Sequence, residues 1–214
     1  MRRPLSRTVL AAATAAACLA LVAGCGSDDG PAAASAPPVS GGVTSPPATG
    51  TAGSLDVVLH DASGAEVGTV TLTPVDGAVR VEGSLHGLPA GGYHGFHIHQ
   101  NPVCDPKAAG GPFSTAGGHF NPGATMHGDH AGDLPPLLVD EDGTARLQAQ
   151  TDRFELDDLR AQGAAVVVHA QPDNLAHIPD RYTAQGAATP GPDERTAATG
   201  DAGDRIACGV IEKS

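Results

Sequence analysis

The chain contains 214 residues, among them 24 acidic, 12 basic and ten histidine side chains, and its formal net charge is −12 at pH 7. Three of the basic residues fall within the first seven positions, so the remainder of the chain is more acidic still. This balance excludes a basic surface for nucleic acid, and an anionic substrate would need a local positive trap.

The N-terminus has the pattern of an export signal. Three arginines precede an apolar run at residues 9–22, which is too short to span a bilayer comfortably. The run leads into LVAGC at 21–25, which resembles a bacterial lipoprotein signal, cleaved before a cysteine whose sulfur has received a diacylglycerol. We therefore expect residues 1–24 to be a signal peptide of this type, with a plain signal peptide as the alternative. The mature protein would be exported, through the Sec or the twin-arginine route. It would be lipid-anchored to the bacterial cell membrane at Cys25, facing the periplasm or the cell exterior.

Residues 25–53 begin with Cys25 and continue mostly as Gly, Ser, Pro, Ala and Thr. Such a stretch cannot bury enough apolar surface to offset its conformational entropy, so we predict a disordered tether. Residues 54–214 remain as one domain, which is long enough for a sizeable core. This domain contains Cys104 and Cys208, which can form a disulfide in an exported protein; two unpaired thiols are the alternative.

The domain is rich in short runs with β-type alternation, separated by turn pairs such as Asp76-Gly77 and Asp142-Gly143. The first three runs follow each other closely, whereas long Gly- and Pro-rich loops separate the later ones. This arrangement favours an all-β Greek-key sandwich or barrel of about eight antiparallel strands. One helical turn is predicted, at 157–162. The predicted strands lie at residues 55–60, 66–72, 79–83, 93–100, 144–148, 164–169 and 205–211.

Six of the ten histidines fall between positions 94 and 130. His97 and His99 stand two residues apart in a strand-like run, so both imidazoles face the same side and can converge on one metal ion. Ile98 between them would point into the core. Taken alone, a pair with this spacing is more often a coincidence than a pair of ligands.

A Gly-rich loop places further candidate ligands at His119, His127, His130 and Asp133. Three imidazoles and a carboxylate are enough for a closed tetrahedral zinc site, although a polar surface loop with scattered histidines is the alternative. His169 ends the apolar run at 166–168 and, taken alone, would be a core histidine. Together, these patterns offer more ligands than one metal needs, and imidazole suits copper as well as zinc.

These segments closely resemble the copper/zinc superoxide dismutase family, over essentially all of residues 54–211. The resemblance implies an enzyme that converts superoxide anion to oxygen and hydrogen peroxide on a copper ion alternating between Cu(II) and Cu(I). It also implies a structural zinc, and long loops that bind the metals and guide the substrate. The matching segments are residues 95–99, 118–122, 127–134, 166–173 and 200–211.

The resemblance also assigns roles to individual residues. His119 would bridge the two metals and pass a proton to the product, and Arg205 would dock the anion beside copper rather than be an exposed surface charge. Asp173 would accept hydrogen bonds from a copper ligand and a zinc ligand. His94 would bond to the backbone. The implied copper ligands are His97, His99, His119 and His169, and the implied zinc ligands are His119, His127, His130 and Asp133.

Some features depart from the common pattern of the family. Cys104 follows His99 by only five residues, as in bacterial members, and the segment 174–204 is long. Ala198 occupies the place of the usual steering lysine, which leaves Arg195 as the nearest candidate for that role. Two rival hypotheses are a non-catalytic copper/zinc-binding module of the same fold and a zinc hydrolase, which would need an open zinc position and a general base. A homodimer is compatible with the resemblance.

Overall fold

The computed structural model describes residues 53–214, so the predicted signal peptide, Cys25 and all but the last residue of the tether lie outside it. Within this range there are nine strands, two short helices and one 3₁₀ turn. The strands are β1 (Leu55–Asp61), β2 (Glu66–Val75), β3 (Ala78–Leu85), β4 (Gly92–His94), β5 (Phe96–His99), β6 (Leu137–Val139), β7 (Ala145–Thr151), β8 (Ala164–His169) and β9 (Arg205–Ile211). The helices are α1 (Leu156–Gln162) and α2 (Thr196–Thr199), and the 3₁₀ turn is Ser114–Ala116.

All nine strands belong to one antiparallel sheet in the order β4-β6-β7-β3-β2-β1-β9-β8-β5. The two outermost strands of this order, β4 and β5, are consecutive in the chain and are separated only by Gly95. The sheet therefore curls round until its two ends meet, which gives a nearly closed barrel. At the junction His169 donates its backbone N–H to Gly95 O at 2.8 Å, and a side chain on Gly95 would clash with Ala202.

The interior of the barrel is filled by the inward side chains of the alternating strands. In β1, Val57 and Leu59 are buried while their neighbours face solvent, and β2 and β3 repeat the pattern. Burying such a side chain contributes about 1.5–3 kcal/mol, so the inward face stabilises the barrel. The core continues through Phe96, Ile98 and Val166 of the strands that bear the histidines.

The outer edge of β5 is covered by the loop at 118–134. Ile98 N–H donates to Gly132 O at 2.9 Å, and Phe120 N–H donates to Ile98 O at 2.8 Å. Gly132 is required here, because a Cβ at this position would clash with Ile98 O. The loop thus pairs with β5 almost as a further strand would.

A second, smaller cluster lies on the outside of β8. Ala165 and Val167 pack there against Phe113 and against Cys208 of β9. Cys104 and Cys208 form a disulfide across a Cα–Cα distance of 5.7 Å. The bridge connects strand β9 to the loop that comes after β5. The cluster around it covers the outside of β8, so both faces of this strand are buried.

The predicted all-β barrel is confirmed. Strand β3 pairs with β7 and β1 pairs with β9, so strands that are distant in the chain are neighbours in the sheet, as Greek-key connections require. The run predicted at 93–100 is divided by Gly95 into β4 and β5, and β6 was not predicted because three residues show no alternation. The helical turn predicted at 157–162 forms as α1, but the expectation that it would be the only one was wrong. Helix α2 also forms, since the Asp193 carboxylate accepts the Thr196 N–H at 2.8 Å and Gly200 ends the helix.

Among residues 53–214, no helix combines the length and apolar composition that crossing a membrane would require.

Candidate metal centre

Strand β5 brings the candidate ligands of three separate segments together. It pairs with β8 on one side, with His97 opposite Val167. On the other side, single bridges join His97 to Asp133 and His99 to His119. His97 and His99 therefore share one face of β5, and Ile98 points into the core as predicted.

The first donor set consists of four buried histidines whose ligand nitrogens all lie within 4.8 Å of one another. His99 Nε2 and His169 Nε2 are 3.2 Å apart. Among the described residues, His97 Nδ1 is buried and has no hydrogen-bond partner. An unpaired buried nitrogen is costly, and a metal ion among these rings would satisfy it. The set is His97, His99, His119 and His169.

Three of these rings are oriented by hydrogen bonds from their outer nitrogens. His97 Nε2 lies 2.6 Å from Asp173 Oδ2, His99 Nδ1 lies 2.9 Å from Gly117 O, and His169 Nδ1 lies 3.1 Å from Gly203 O. A neutral ring that donates outward keeps the lone pair of its other nitrogen on the inside of the cluster.

Burial also keeps these rings uncharged. Desolvation lowers the pKa of His97 to about 4 and that of His169 to about 3, and it lowers the pKa of His99 well below its ordinary value. Near neutral pH the three rings are therefore unprotonated, which is the form that binds a metal.

The second donor set is centred on His119 Nδ1. This nitrogen lies 3.2 Å from His127 Nδ1, 3.3 Å from His130 Nδ1 and 2.8 Å from Asp133 Oδ1. A tetrahedral zinc with bonds of about 2.0–2.1 Å places its ligand atoms about 3.3–3.4 Å apart. The imidazole distances of 3.2 and 3.3 Å fit that spacing, while the carboxylate oxygen lies closer to His119. A single ring nitrogen could not hydrogen-bond to all three neighbours at once. With Nδ1 in this set, Nε2 of His119 is the nitrogen left for the first set.

One carboxylate oxygen of Asp133 is a donor of the second set, and the other accepts hydrogen bonds from the backbone of its own loop. Its Oδ2 accepts the backbone N–H groups of Gly128 at 2.7 Å and His130 at 3.0 Å. Burial alone would raise the pKa of Asp133, but hydrogen bonds from His119 and His127 outweigh it and hold that pKa well below the ordinary value. The carboxylate is thus ionised and ready to bind a cation.

Asp173 connects the two sets. Besides the contact with His97, its carboxylate lies 2.8 Å from His127 Nε2 and accepts the Leu175 N–H at 2.7 Å. Burial by itself would lower the pKa of His127, yet the two carboxylates Asp133 and Asp173 raise it to about 9. One carboxylate therefore fixes a ring of the first set and a ring of the second.

Arg205 is half-buried at the start of β9, opposite His169 in the sheet register. Its guanidinium donates to Phe113 O and to Gly117 O, both at 2.5 Å, and Gly117 O is also the partner of His99. These bonds hold a positive charge close to the first donor set and do not fit a freely exposed surface arginine.

His94 lies on β4, and its Nδ1 is 2.7 Å from His169 O, so it bonds to the backbone as predicted. Sequence reasoning missed Gly117, whose carbonyl joins His99 to Arg205, because a backbone acceptor leaves no residue-type signal. It also missed Gly200, although this glycine opens one of the matching segments.

The segment at 174–204, which was predicted to guide the substrate, contains helix α2. Helix α2 carries the exposed Ala198, and the exposed Arg195 directly precedes it. The helix is attached to the second donor set, since His127 N–H donates to Ala197 O at 2.9 Å. The role of Arg195 in guiding substrate stays a prediction.

The fold and the paired donor sets define a β-barrel built to hold two metal ions through one shared imidazole. The sequence profile of the family described as copper/zinc superoxide dismutase matches residues 66–211, and the chain belongs to this family.

Known proteins similar to this chain include bacterial superoxide dismutases. The superoxide dismutase [Cu-Zn] of Mycolicibacterium paratuberculosis is 40% identical over 186 residues, which cover 82% of this chain and 81% of that protein. The Cu/Zn superoxide dismutase from Brucella abortus has a TM-score of 0.57 at 31% identity, over 74% of this chain and 99% of that chain. A SOD-like protein from Bacillus subtilis has a TM-score of 0.58 at 28% identity, over 73% of this chain and 97% of that chain.

Proposed function

We propose that this protein is a copper/zinc superoxide dismutase, with copper in the first donor set and zinc in the second. One observation carries the proposal: two complete donor sets share the ring of His119 in a chain of this family. Copper, when bound, supplies one-electron chemistry between Cu(II) and Cu(I), by which one superoxide is oxidised to oxygen and the next is reduced to hydrogen peroxide.

The protein orients the rings of the first set through its own hydrogen bonds. His97, His99 and His169 are buried, neutral and oriented by outward hydrogen bonds, so their inner lone pairs face a common point. Little reorganisation is then needed on binding.

Arg205 supplies a local positive charge beside the first set in an otherwise acidic chain. Its guanidinium is fixed by two carbonyls and is only partly exposed, so its charge is less screened than that of a surface arginine. A small anion beside the first set can accept hydrogen bonds from it. We assign to Arg205 the docking of superoxide.

His119 is the candidate proton carrier. Its Nδ1 stays engaged in the second set, whereas Nε2 can hold a proton whenever it is not bonded in the first set. That proton can pass to the reduced oxygen species as peroxide forms. Zinc in the second set would fix the ring for this exchange and would have a structural role.

Two alternatives are weaker. A zinc hydrolase needs an open coordination position, but the second set already offers four protein donors. A non-catalytic module of the same fold remains a rival, because one solved relative is described only as SOD-like. The deciding experiment is metal analysis of the purified protein beside a superoxide-consumption assay, before and after copper is restored. A copper-loaded protein that leaves superoxide unconsumed would establish the non-catalytic module.

We further propose that the protein is exported and lipid-anchored at Cys25, on the sequence pattern at 21–25. The boundaries of the signal peptide, tether and domain belong to this proposal. Homodimer formation also stays a prediction, which sedimentation of the purified domain would check.

A further inference from the structure

Arg153 belongs to neither donor set but lies beside the second one. It follows β7, and its backbone N–H is held by Thr151 Oγ1 at 3.2 Å. The next residue, Phe154, is buried in the barrel core, where its ring meets that of Phe120 edge to face at 6.4 Å. The guanidinium of Arg153 thus extends from a backbone that is anchored to the barrel.

That guanidinium lies against the outside of the segment between His127 and His130. Its Nη1 donates to Gly128 O at 2.9 Å and to His130 O at 3.3 Å. Its Nη2 lies 3.5 Å from Asp129 Oδ1, but this ion pair is largely exposed and contributes little. The two carbonyl contacts are therefore the ones that restrain the segment.

The same two residues are held from the inside. Gly128 and His130 donate their N–H groups to Asp133 Oδ2, while their carbonyls accept from Arg153. The backbone between two donors of the set is thus fixed between a ligand carboxylate and an arginine from another part of the chain.

We infer that Arg153 is a positioning residue that slows loss of the ion from the second donor set. The inference rests on the proposed function, because it takes that ion to be zinc. For zinc to leave, the donors on either side of Gly128 must swing apart, and Arg153 opposes this movement. Its Nη1 alone contacts two carbonyls of one loop, those of Gly128 and His130.

Arg160 offers a matched control. It also pairs with an aspartate, with Nη1 at 3.0 Å from Asp157 Oδ1, and it donates to the carbonyl of Gly53. Neither contact touches a donor set. Replacing Arg160 therefore removes the same kinds of interaction without affecting the loop of the second set.

The test measures zinc release from the copper- and zinc-loaded full chain into excess 4-(2-pyridylazo)resorcinol, with metal content followed in parallel. Arg153→Gln should release zinc about tenfold faster than the parent, the lower end of what outer partners of metal ligands contribute. Arg153→Lys should retain part of the effect, Arg160→Gln should match the parent, and copper should stay bound in all of them. The metal-free forms of Arg153→Gln and Arg160→Gln should melt at similar temperatures.

Zinc release from Arg153→Gln at the parental rate would overturn the inference, as would equal acceleration by Arg160→Gln or equal loss of copper. If the parent binds zinc and consumes superoxide, but Arg153→Gln and Arg160→Gln release zinc at the same rate, only the positioning role of Arg153 is rejected. If the parent binds no zinc, the assignment of the second set fails together with it.

Discussion

The backbone of Gly200 lies directly against the carboxylate of Asp173, in a left-handed conformation with φ of 57°. A Cβ at this position would clash with Asp173 Oδ1 and with His127 Nε2. Because Asp173 contacts rings of both donor sets, the absence of a side chain at Gly200 is a condition for their alignment.

Gly200→Ala should therefore destabilise both donor sets. We expect a loss of about 2–4 kcal/mol in unfolding free energy, from the left-handed conformation and from overpacking. Gly186→Ala is the matched control, since Gly186 also has a positive φ but a Cβ added there would meet no atom within 4 Å. Urea unfolding of the metal-free variants measures the difference. Equal losses in both variants would show that the contact with Asp173 is unimportant.

Asp173→Asn should weaken binding of both metals. A neutral amide offers one acceptor oxygen in place of two, so it cannot serve His97 and His127 as the carboxylate does. Removing such a partner costs about 10–100-fold in metal affinity. Chelator competition for copper and for zinc checks this, with Asp142→Asn in an exposed turn as the control. Loss of only one metal would contradict the connecting role.

Arg205→Gln should slow dismutation while copper stays bound. The substitution removes the fixed charge beside the first set, and we expect kcat/KM to fall by about tenfold or more at low salt. Arg205→Lys separates charge from geometry, because it keeps the charge but not the fork to Phe113 O and Gly117 O. Stopped-flow superoxide decay at several ionic strengths is the measurement. Unchanged decay in Arg205→Gln would reject the docking role.

Opening the disulfide should reduce stability and disturb Arg205. The bridge spans 104 residues, for which loop-closure entropy predicts a contribution of about 4–5 kcal/mol. Cys104→Ser with Cys208→Ser should lower the urea midpoint by a corresponding amount. It should also reduce activity, because Phe113, a partner of Arg205, packs in the cluster around Cys208. Full activity in a destabilised double variant would show that the bridge stabilises the barrel but is not needed to position Arg205.

Cys25→Ala should move the protein from the membrane fraction to the soluble fraction of a bacterial host that processes lipoproteins. The sulfur of Cys25 is the predicted attachment point of the lipid, and a formal net charge of −12 does not favour binding to an anionic membrane surface without it. Fractionation with immunodetection measures the change, and Cys18→Ala within the predicted signal is the control. Continued membrane association of Cys25→Ala would reject the anchor.

Much of the site was accessible from the sequence because its ligands recur in short, ordered motifs. The spacing of His97 and His99 predicted a shared face, and the loop from His119 to Asp133 predicted a four-donor set. The β-type runs at 55–60, 66–72 and 79–83 predicted β1, β2 and β3, since period-two burial leaves a direct trace in the residue order.

The features that sequence reasoning missed depend on contacts between distant segments. The division of one predicted strand at Gly95 follows from the close approach of Ala202, more than a hundred residues away. The carbonyl of Gly117 and the guanidinium of Arg153 act through backbone atoms, which no residue pattern reports. Helix α2 was missed because four residues are too few to show a helical period.

The loop that carries the second donor set also hydrogen-bonds along the outer side of β5. A strand without a neighbour is a template on which other molecules can add their own strands. The loop at 118–134 occupies this side of β5, so the strand of another molecule cannot pair there while these bonds are kept.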